Sequence, residues 1–251
     1  MVKILMNGCN GKMGQTITKL VEEDENACIT AGVDVFDGIT NTYPVFKSIN
    51  EVDVEFDVII DFSTASVIDN LIDYCDRTKK PVVLCTTGLS QEQIAKVNEL
   101  SKTCAVLRSA NMSVGVNVLM KLLKQAVAKL APEGFDVEIV EKHHNLKLDA
   151  PSGTALALAD VMNEEMDNQY EYVYDRSQVR QKRDKKEMGI VAVRGGNIVG
   201  QHDVIFAGTD EEIVISHTAH SKAIFAKGSI TAAKYLYDKE PGLYDMSDVM
   251  D

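Results

Sequence analysis

Apolar and polar positions along this chain change period several times, and each change predicts an element. Val2-Lys3-Ile4-Leu5-Met6 is a short apolar run of the kind a buried strand leaves. Met13, Ile17, Leu20 and Val21 then recur at helical spacing. Ile29 to Val33 predicts a second strand and Phe56 to Phe62 a third. Val67, Ile68, Leu71, Ile72 and Cys75 share a helical stripe that Ser63 or Thr64 can cap. Pro81 to Cys85 is the next strand, and Ser90 with Gln93 forms a capping box for a helix from Gln91 to Lys102. Cys104 to Leu107 follows as a fifth strand. Strands alternating with helices predict a parallel sheet covered on both faces. In such a sheet ligands bind beyond the carboxyl ends of the strands, where Gly8, Asp34, Phe62-Ser63, Thr86-Thr87 and Ala110-Asn111 all fall.

The second half has a different rhythm. Ser113 to Asn117 reads as a domain passage, and Leu119, Leu122, Leu123, Ala126, Val127 and Leu130 make one helical stripe, halted by Pro132 and Gly134. From Phe135 to Lys142 the period is two: Val137, Ile139 and Glu141 face one way, Glu138, Val140 and Lys142 the other. Ala155 to Met162 is built of good helix formers. Asp175 to Glu187 reads as a solvated polar loop. Gly189 to Arg194 and Asn197 to Phe206 alternate, and the Arg194-Gly195-Gly196-Asn197 between them predicts a hairpin. Glu212 to His217 is a further strand, and Ala223 to Tyr237 a helix ended by Pro241-Gly242.

Composition narrows the class. With 251 residues the chain suits two unequal domains, or one with a large insertion. A net charge of −12 argues against nucleic acid or an anionic membrane as partner, so an anionic ligand needs a local basic pocket. Cys9, Cys28, Cys75, Cys85 and Cys104 are odd in number and contain no CxxC pair, which suits reduced thiols in a cytoplasmic protein. The N-terminus enters the first strand with no signal peptide, and no apolar run reaches membrane-spanning length. All five histidines lie in the second half without a metalloprotease-like spacing, so no metal is expected.

Two stretches carry chemistry. Gly8, Gly11 and Gly14 form a G-x-x-G-x-x-G variant of the dinucleotide fingerprint, between a strand and a helix. Asp34, about twenty residues on, is placed to hold ribose hydroxyls. No Arg or Lys stands in Val35-Phe36-Asp37 to meet a 2′-phosphate, so NADH is expected over NADPH, which Lys12 can partly accommodate. Cys9 reads as a space-filler in this loop rather than an activated thiol. The second stretch runs from Glu141 to Ala155. It sets His143, His144 and Lys147 on a strand-to-helix connection, with Ser152-Gly153-Thr154 at a helix start whose N–H groups favour an anion. Such a site suits a small dianion that must be protonated. The plain alternative is a polar surface turn followed by an ordinary cap.

The string His143-His144-Asn145-Leu146-Lys147-Leu148-Asp149-Ala150-Pro151-Ser152-Gly153-Thr154-Ala155 closely resembles the signature of the 4-hydroxy-tetrahydrodipicolinate reductase (dihydrodipicolinate reductase) family. The resemblance extends to Gly8–Gly14, Asp61-Phe62-Ser63, Thr86-Thr87-Gly88, residues 110–117, residues 193–200 and residues 242–246. It implies an α/β protein with a Rossmann-type parallel-sheet domain (residues 1–113 and 222–251). An inserted α+β domain with a mixed, mostly antiparallel sheet (residues 114–221) would carry substrate binding and subunit contacts, usually in a homotetramer. It implies His143 as general acid, Lys147 as second proton donor or electrostatic partner, and His144, Ser152, Gly153 and Thr154 as substrate contacts. Cofactor contacts would be Gly8, Cys9, Asn10, Gly11, Lys12, Met13, Asp34, Cys85, Thr86, Thr87, Ser109, Ala110, Asn111 and Met112. The substrate would be a small dianionic heterocycle, reduced in lysine and diaminopimelate biosynthesis. Lys12, Cys85, Met112 and Lys222 depart from the family's common residues. A catalytically silent dinucleotide-sensing module, an aspartate-semialdehyde dehydrogenase (or one of homoserine type) and a metal-dependent lyase are the competing readings. The semialdehyde enzyme needs a cysteine nucleophile, and the second half has none.

Overall fold

A computed structural model describes residues 1–250. Its elements, in chain order, begin with β1 (Val2–Asn7), α1 (Lys12–Glu22), β2 (Ala27–Val33), β3 (Val45–Phe46), β4 (Val58–Asp61), α2 (Ile68–Thr78), β5 (Val82–Leu84), α3 (Gln91–Leu100) and β6 (Ala105–Leu107). After these come α4 (Val114–Leu130), β7 (Asp136–His143), α5 (Gly153–Glu165), β8 (Glu171–Val173), β9 (Glu187–Arg194), β10 (Gly200–Ala207), β11 (Glu212–Ala219), α6 (Ala223–Leu236), β12 (Gly242–Tyr244) and α7 (Met246–Val249).

The chain divides into two compact units. One joins Met1–Val114 to the segment from Ala223 onward; the other is Gly115–Lys222. In the first, seven parallel strands run in the order β12-β6-β5-β4-β1-β2-β3. Strands buried on both faces explain the unbroken apolar runs Ile4-Leu5-Met6 and Val58-Ile59-Ile60. One face packs Ile4, Met6, Ile60 and Val83 against α1 and α6; the other packs Leu5, Ile59 and Val82 against α2 and α3. The strand order reverses between β1 and β4, so the crevice for a ligand opens at the loop after β1.

The second unit is a five-stranded mixed sheet in the order β11-β10-β7-β9-β8. β10 runs antiparallel to both its neighbours, whereas β9 runs parallel to β7 and to β8. Val137, Ile139, Met188, Ile190, Val204 and Phe206 close one face against Leu119, Leu123, Leu158 and Met162 of α4 and α5.

Four expectations are corrected. The hairpin across Arg194–Asn197 does not form, because β7 lies between β9 and β10. The Gly195-Gly196 turn instead wraps the end of β7, with the Gly195 N–H on the His143 carbonyl at 2.9 Å and the Asn145 N–H on the Gly196 carbonyl at 3.2 Å. Neither Ser63 nor Thr64 caps α2: the Ser63 hydroxyl donates to Asp61 at 2.6 Å, and Thr64 precedes a 3-10 turn without a capping side-chain bond. The polar run 175–187 is anchored rather than simply solvated, since Arg183 bonds Asp136 and Glu138 at 2.8 Å each. The short strands β3, β8 and β12 were not expected, being too brief for a period to show. The Ser90–Gln93 capping box forms as expected.

Candidate active site

In the first unit the loop after β1 and the start of α1 make a cradle. Gly8 takes φ +81°, and a Cβ there would stand 2.6 Å from the Phe62 carbonyl oxygen, so only glycine lets the ends of β1 and β4 close up. Gly11 is the N-cap of α1, no side chain caps that terminus, and no acid lies in its first turn. The N–H groups at Lys12 and Met13 therefore begin a helix suited to a phosphate. A cavity of about 290 Å³ is lined by Gly8, Gly11, Asp34, Val35, Lys47 and Ser63, among others. Both Asp34 oxygens are oriented by backbone N–H groups, Asn10 at 2.9 Å and Phe36 at 3.0 Å. These features fit the pyrophosphate and ribose of a dinucleotide.

Other residues expected to contact the cofactor are engaged within this unit as follows. The Asn10 amide bonds the Phe36 carbonyl and accepts from Asn41 at 2.8 Å. Cys9 is fully buried, and burial first, then Asp34, pushes its thiol up to about 12, so it fills space. Burial likewise pushes the Cys85 thiol well up. Met112 packs into the core beside Ala226 and Ile230. Ser109 and Asn111 shape their own turn, the Ser109 hydroxyl on the Asn111 carbonyl at 3.2 Å and the Ser113 N–H on the Asn111 side chain at 2.8 Å. Thr87 and Ala110 are exposed on the strand-end rim.

Two groups here have no role in the sequence reading. Asp61, fully buried, accepts from Asn7 at 2.7 Å, Ser63 at 2.6 Å and Thr86 at 2.6 Å, tying the ends of β1, β4 and β5 together. Burial pushes its carboxyl up while these bonds oppose the shift. Lys47 is a cation beside Val35-Phe36-Asp37 that the reading of those three residues alone did not include. It comes from the residues just after β3 and bonds the Val35 carbonyl at 2.9 Å and Asp37 at 2.8 Å. Pairing with β2 brings it there, which a local reading of 35–37 cannot detect.

In the second unit the His/Lys stretch is assembled on the end of β7. Glu141 is fully buried and accepts four bonds: His143 Nδ1 at 2.7 Å, the Ser152 N–H at 2.9 Å, and Arg194 from Nη1 and Nη2 at 2.8 and 2.7 Å. Burial pushes the Glu141 carboxyl up, but the bonds from Arg194, His143 and Ser152 outweigh it and hold it below the usual range. The His143 ring lies edge-on to His202, centroids 5.2 Å apart. Gly200 leaves room beside the ring's other nitrogen, since a Cβ there would reach His143 Nε2 at 3.0 Å.

Ser152 is buried and fully engaged. Its hydroxyl caps α5 by accepting the Ala155 N–H at 3.2 Å and bonds His202 Nε2 at 3.0 Å. Gly153 opens α5 and Thr154 follows in its first turn. Lys147 pairs with Asp149 at 2.8 Å, and its N–H bonds the His144 carbonyl at 3.2 Å. The Lys147 bond, aided by the Gly153 N–H, holds the Asp149 carboxyl below its ordinary range. A carboxylate thus already sits where the sequence predicts an anion. Glu141 was visible as a charged residue in phase with Val137 and Ile139. Arg194 and His202 were not, because the misplaced hairpin removed them from β7. Among the described residues no group of three or more His, Cys, Asp or Glu side chains could hold a metal ion, and no helix is long and apolar enough to cross a membrane.

His202 gives a pH prediction. Burial first, then His143, pushes it down to about 4 from an ordinary 6.5. The unfolded chain therefore takes up a proton between these values that the folded chain refuses. Stability from this site is complete above the ordinary value and is lost as pH falls toward the lower one, by about 3 kcal/mol in all. Urea unfolding should show His202→Asn losing less stability than the parent over that window. An equal loss would place the acid sensitivity elsewhere.

Residues 2–112 match the family model described as "Dihydrodipicolinate reductase, N-terminus", and residues 115–250 match "Dihydrodipicolinate reductase, C-terminus". A 4-hydroxy-tetrahydrodipicolinate reductase of Caldanaerobacter subterraneus subsp. tengcongensis is 50% identical over 100% of this chain and 98% of its own. One from Clostridium novyi is 46% identical with the same coverage. A dipicolinate-bound dihydrodipicolinate reductase from a Paenisporosarcina species shares the fold, with a TM-score of 0.82 at 23% identity over 98% of this chain and 97% of that one.

Proposed function

The chain belongs to the dihydrodipicolinate reductase family, and from that premise we propose that His143 is the general acid of its reaction, on the Nδ1 contact to Glu141 that orients the ring. The reaction is the NAD(P)H-dependent reduction of 4-hydroxy-tetrahydrodipicolinate to tetrahydrodipicolinate in lysine and diaminopimelate biosynthesis. The reduced nicotinamide, when bound, supplies a hydride. Gly8, Gly11, Lys12 and Met13 would hold its pyrophosphate and Asp34 its ribose, with Thr86, Thr87 and the 109–112 turn on the strand-end rim.

The substrate is a ring with two carboxylates and, once dehydrated, a conjugated imine. Glu141 binds Nδ1 of His143, so Nε2 is the nitrogen left to deliver a proton to ring carbon. Lys147 stabilises negative charge developing along the conjugated system, where exclusion of water strengthens its effect. His144 and the first turn of α5 at Gly153 and Thr154 receive the carboxylates. One substrate carboxylate replaces Asp149 on Lys147 and on the Gly153 N–H. Ser152 acts from behind, through its cap on α5 and its bond to His202. Loss of reduced-nicotinamide absorbance, with substrate freshly made from pyruvate and aspartate semialdehyde, tests the reading; no turnover would overturn it.

The finer choices also belong to this proposal. Residues 1–113 with 222–251 bind the dinucleotide; residues 114–221 bind substrate and form subunit contacts. NADH is preferred, because Asp34 is oriented for ribose hydroxyls and Asp37 offsets Lys47. NADPH is accepted when Lys47 turns to the 2′-phosphate. Lys47→Ala should therefore raise KM for NADPH about tenfold, roughly 1.4 kcal/mol, and change that for NADH much less. Equal effects would remove Lys47 from cofactor choice. The protein is cytoplasmic and assembles as a homotetramer. The sheet face carrying the exposed Val191, Val193 and Val214 supports such contacts. A monomeric mass by light scattering would refute the assembly.

A further inference from the structure

The Glu141–Arg194 pair has no role in the function proposed above beyond contact with His143, yet its geometry is specific. Glu141 accepts four hydrogen bonds and is held ionised, so it has no proton to donate. The hydrogen between it and His143 must then sit on Nδ1. That assigns the ring's tautomer and leaves Nε2, on the Gly200 side, as the exchanging nitrogen.

Resting on the reading of His143 as the acid, we propose that Glu141 and Arg194 are opposed positioning residues that set the pH range over which His143 acts. Glu141 fixes the Nδ1–H tautomer and favours the imidazolium. Arg194 grips the same carboxylate through both terminal nitrogens, fixes its plane and counters its charge. During the transfer the Nε2–H bond breaks and a C–H bond forms on the substrate ring. The imidazole is left neutral with Nδ1–H still on Glu141. Glu141 gains no proton, and His143 is reloaded from solvent.

Every element around the ring presents a titratable or charged group. Glu141 lies on β7 itself, Arg194 on β9, His202 on β10 and His217 opposite it on β11, with His144 and Lys147 on the turn after β7. Both His202 and His217 are pushed down by burial, so near neutral pH they add no positive charge. Lys147 is paired with Asp149. The carboxylate and the guanidinium are thus the unequal pair whose removal has opposite consequences. An opposite charge at this range shifts a titration by about 1–3 units.

The test is kcat against pH for the intact enzyme and for E141Q, R194Q and H143Q, with thermal melts to verify folding. A general acid must be protonated, so activity falls on the alkaline side. E141Q should move that alkaline limb down by about one unit or more, and R194Q should move it up, while H143Q abolishes the limb. Loss of packing or of stability would not move the limb in opposite directions. If H143Q loses the limb but E141Q and R194Q leave it in place or move it the same way, the pair is only structural and the proposal fails. If H143Q keeps full rate and its limb, the reading of the acid itself is what fails. Should E141Q or R194Q not fold, nitrogen NMR of the neutral ring in the parent enzyme, on the alkaline side of the limb, decides: Nδ1–H on His143 supports the proposal, and Nε2–H with a bare Nδ1 overturns it.

Discussion

Replacing His143 with Gln is expected to lower kcat by about 10²–10⁴ and to change the substrate KM by no more than a few-fold. Glutamine roughly preserves the side chain's reach and can still bond Glu141, so the Glu141–Arg194 pair is not stranded. It has no group that gives up a proton near neutral pH. The predicted carboxylate contacts, at His144, Lys147 and the first turn of α5, are untouched, which is why KM should hold. The loss therefore falls on an interaction made in the transition state alone. A kcat within a factor of two of the parent would move the acid to another residue. A large rise in KM with kcat intact would make His143 a binding group instead.

Gly8→Ala should weaken dinucleotide binding at least tenfold and destabilise the protein by roughly 1–3 kcal/mol. Two effects add: φ of +81° strains any residue with a Cβ, and the new carbon would lie 2.6 Å from the Phe62 carbonyl oxygen. That oxygen belongs to the backbone just after β4, so relief requires the β1 and β4 ends to separate. The Gly8 N–H also bonds the Val33 carbonyl at 2.9 Å, and the same displacement would pull on the end of β2 beside Asp34. The entropy gained by restricting the unfolded chain, about 0.4–1 kcal/mol, is too small to compensate. Calorimetric titration with NADH and a urea melt check both halves. Parent-like binding with parent-like stability would mean the turn has room that this geometry denies it.

Both predictions rest on residues that local signals mark, and those were legible in the chain. Gly8, Gly11 and Gly14 advertise a tight turn into a helix, and the two-residue period up to Lys142 announces β7 before the polar cluster begins. The parallel sheet was equally legible, since its strands are buried on both sides and leave continuous apolar runs. The mixed sheet was harder. β9 and β10 alternate as hairpin strands do, and the Gly-Gly turn between them suits a hairpin. The period reports which face a residue occupies and says nothing about which strand it pairs with.

What the sequence by itself determined, then, is everything set by neighbours along the chain: the βα alternation, the glycine turn at the switch point, the caps at Ser90 and Ser152, and the presence of His143 and Lys147 on a strand-to-helix connection. Tertiary structure alone decided what gathers around those residues. Pairing of β2 with β3 brings Lys47 beside Asp34 and Asp37. Insertion of β7 between β9 and β10 sets Arg194 on one side of the Glu141–His143 pair and His202 on the other. The physical reason is that a charge or hydrogen bond acts through space over a few ångströms. Partners separated by 53 positions, as Glu141 and Arg194 are, leave no trace in any local period.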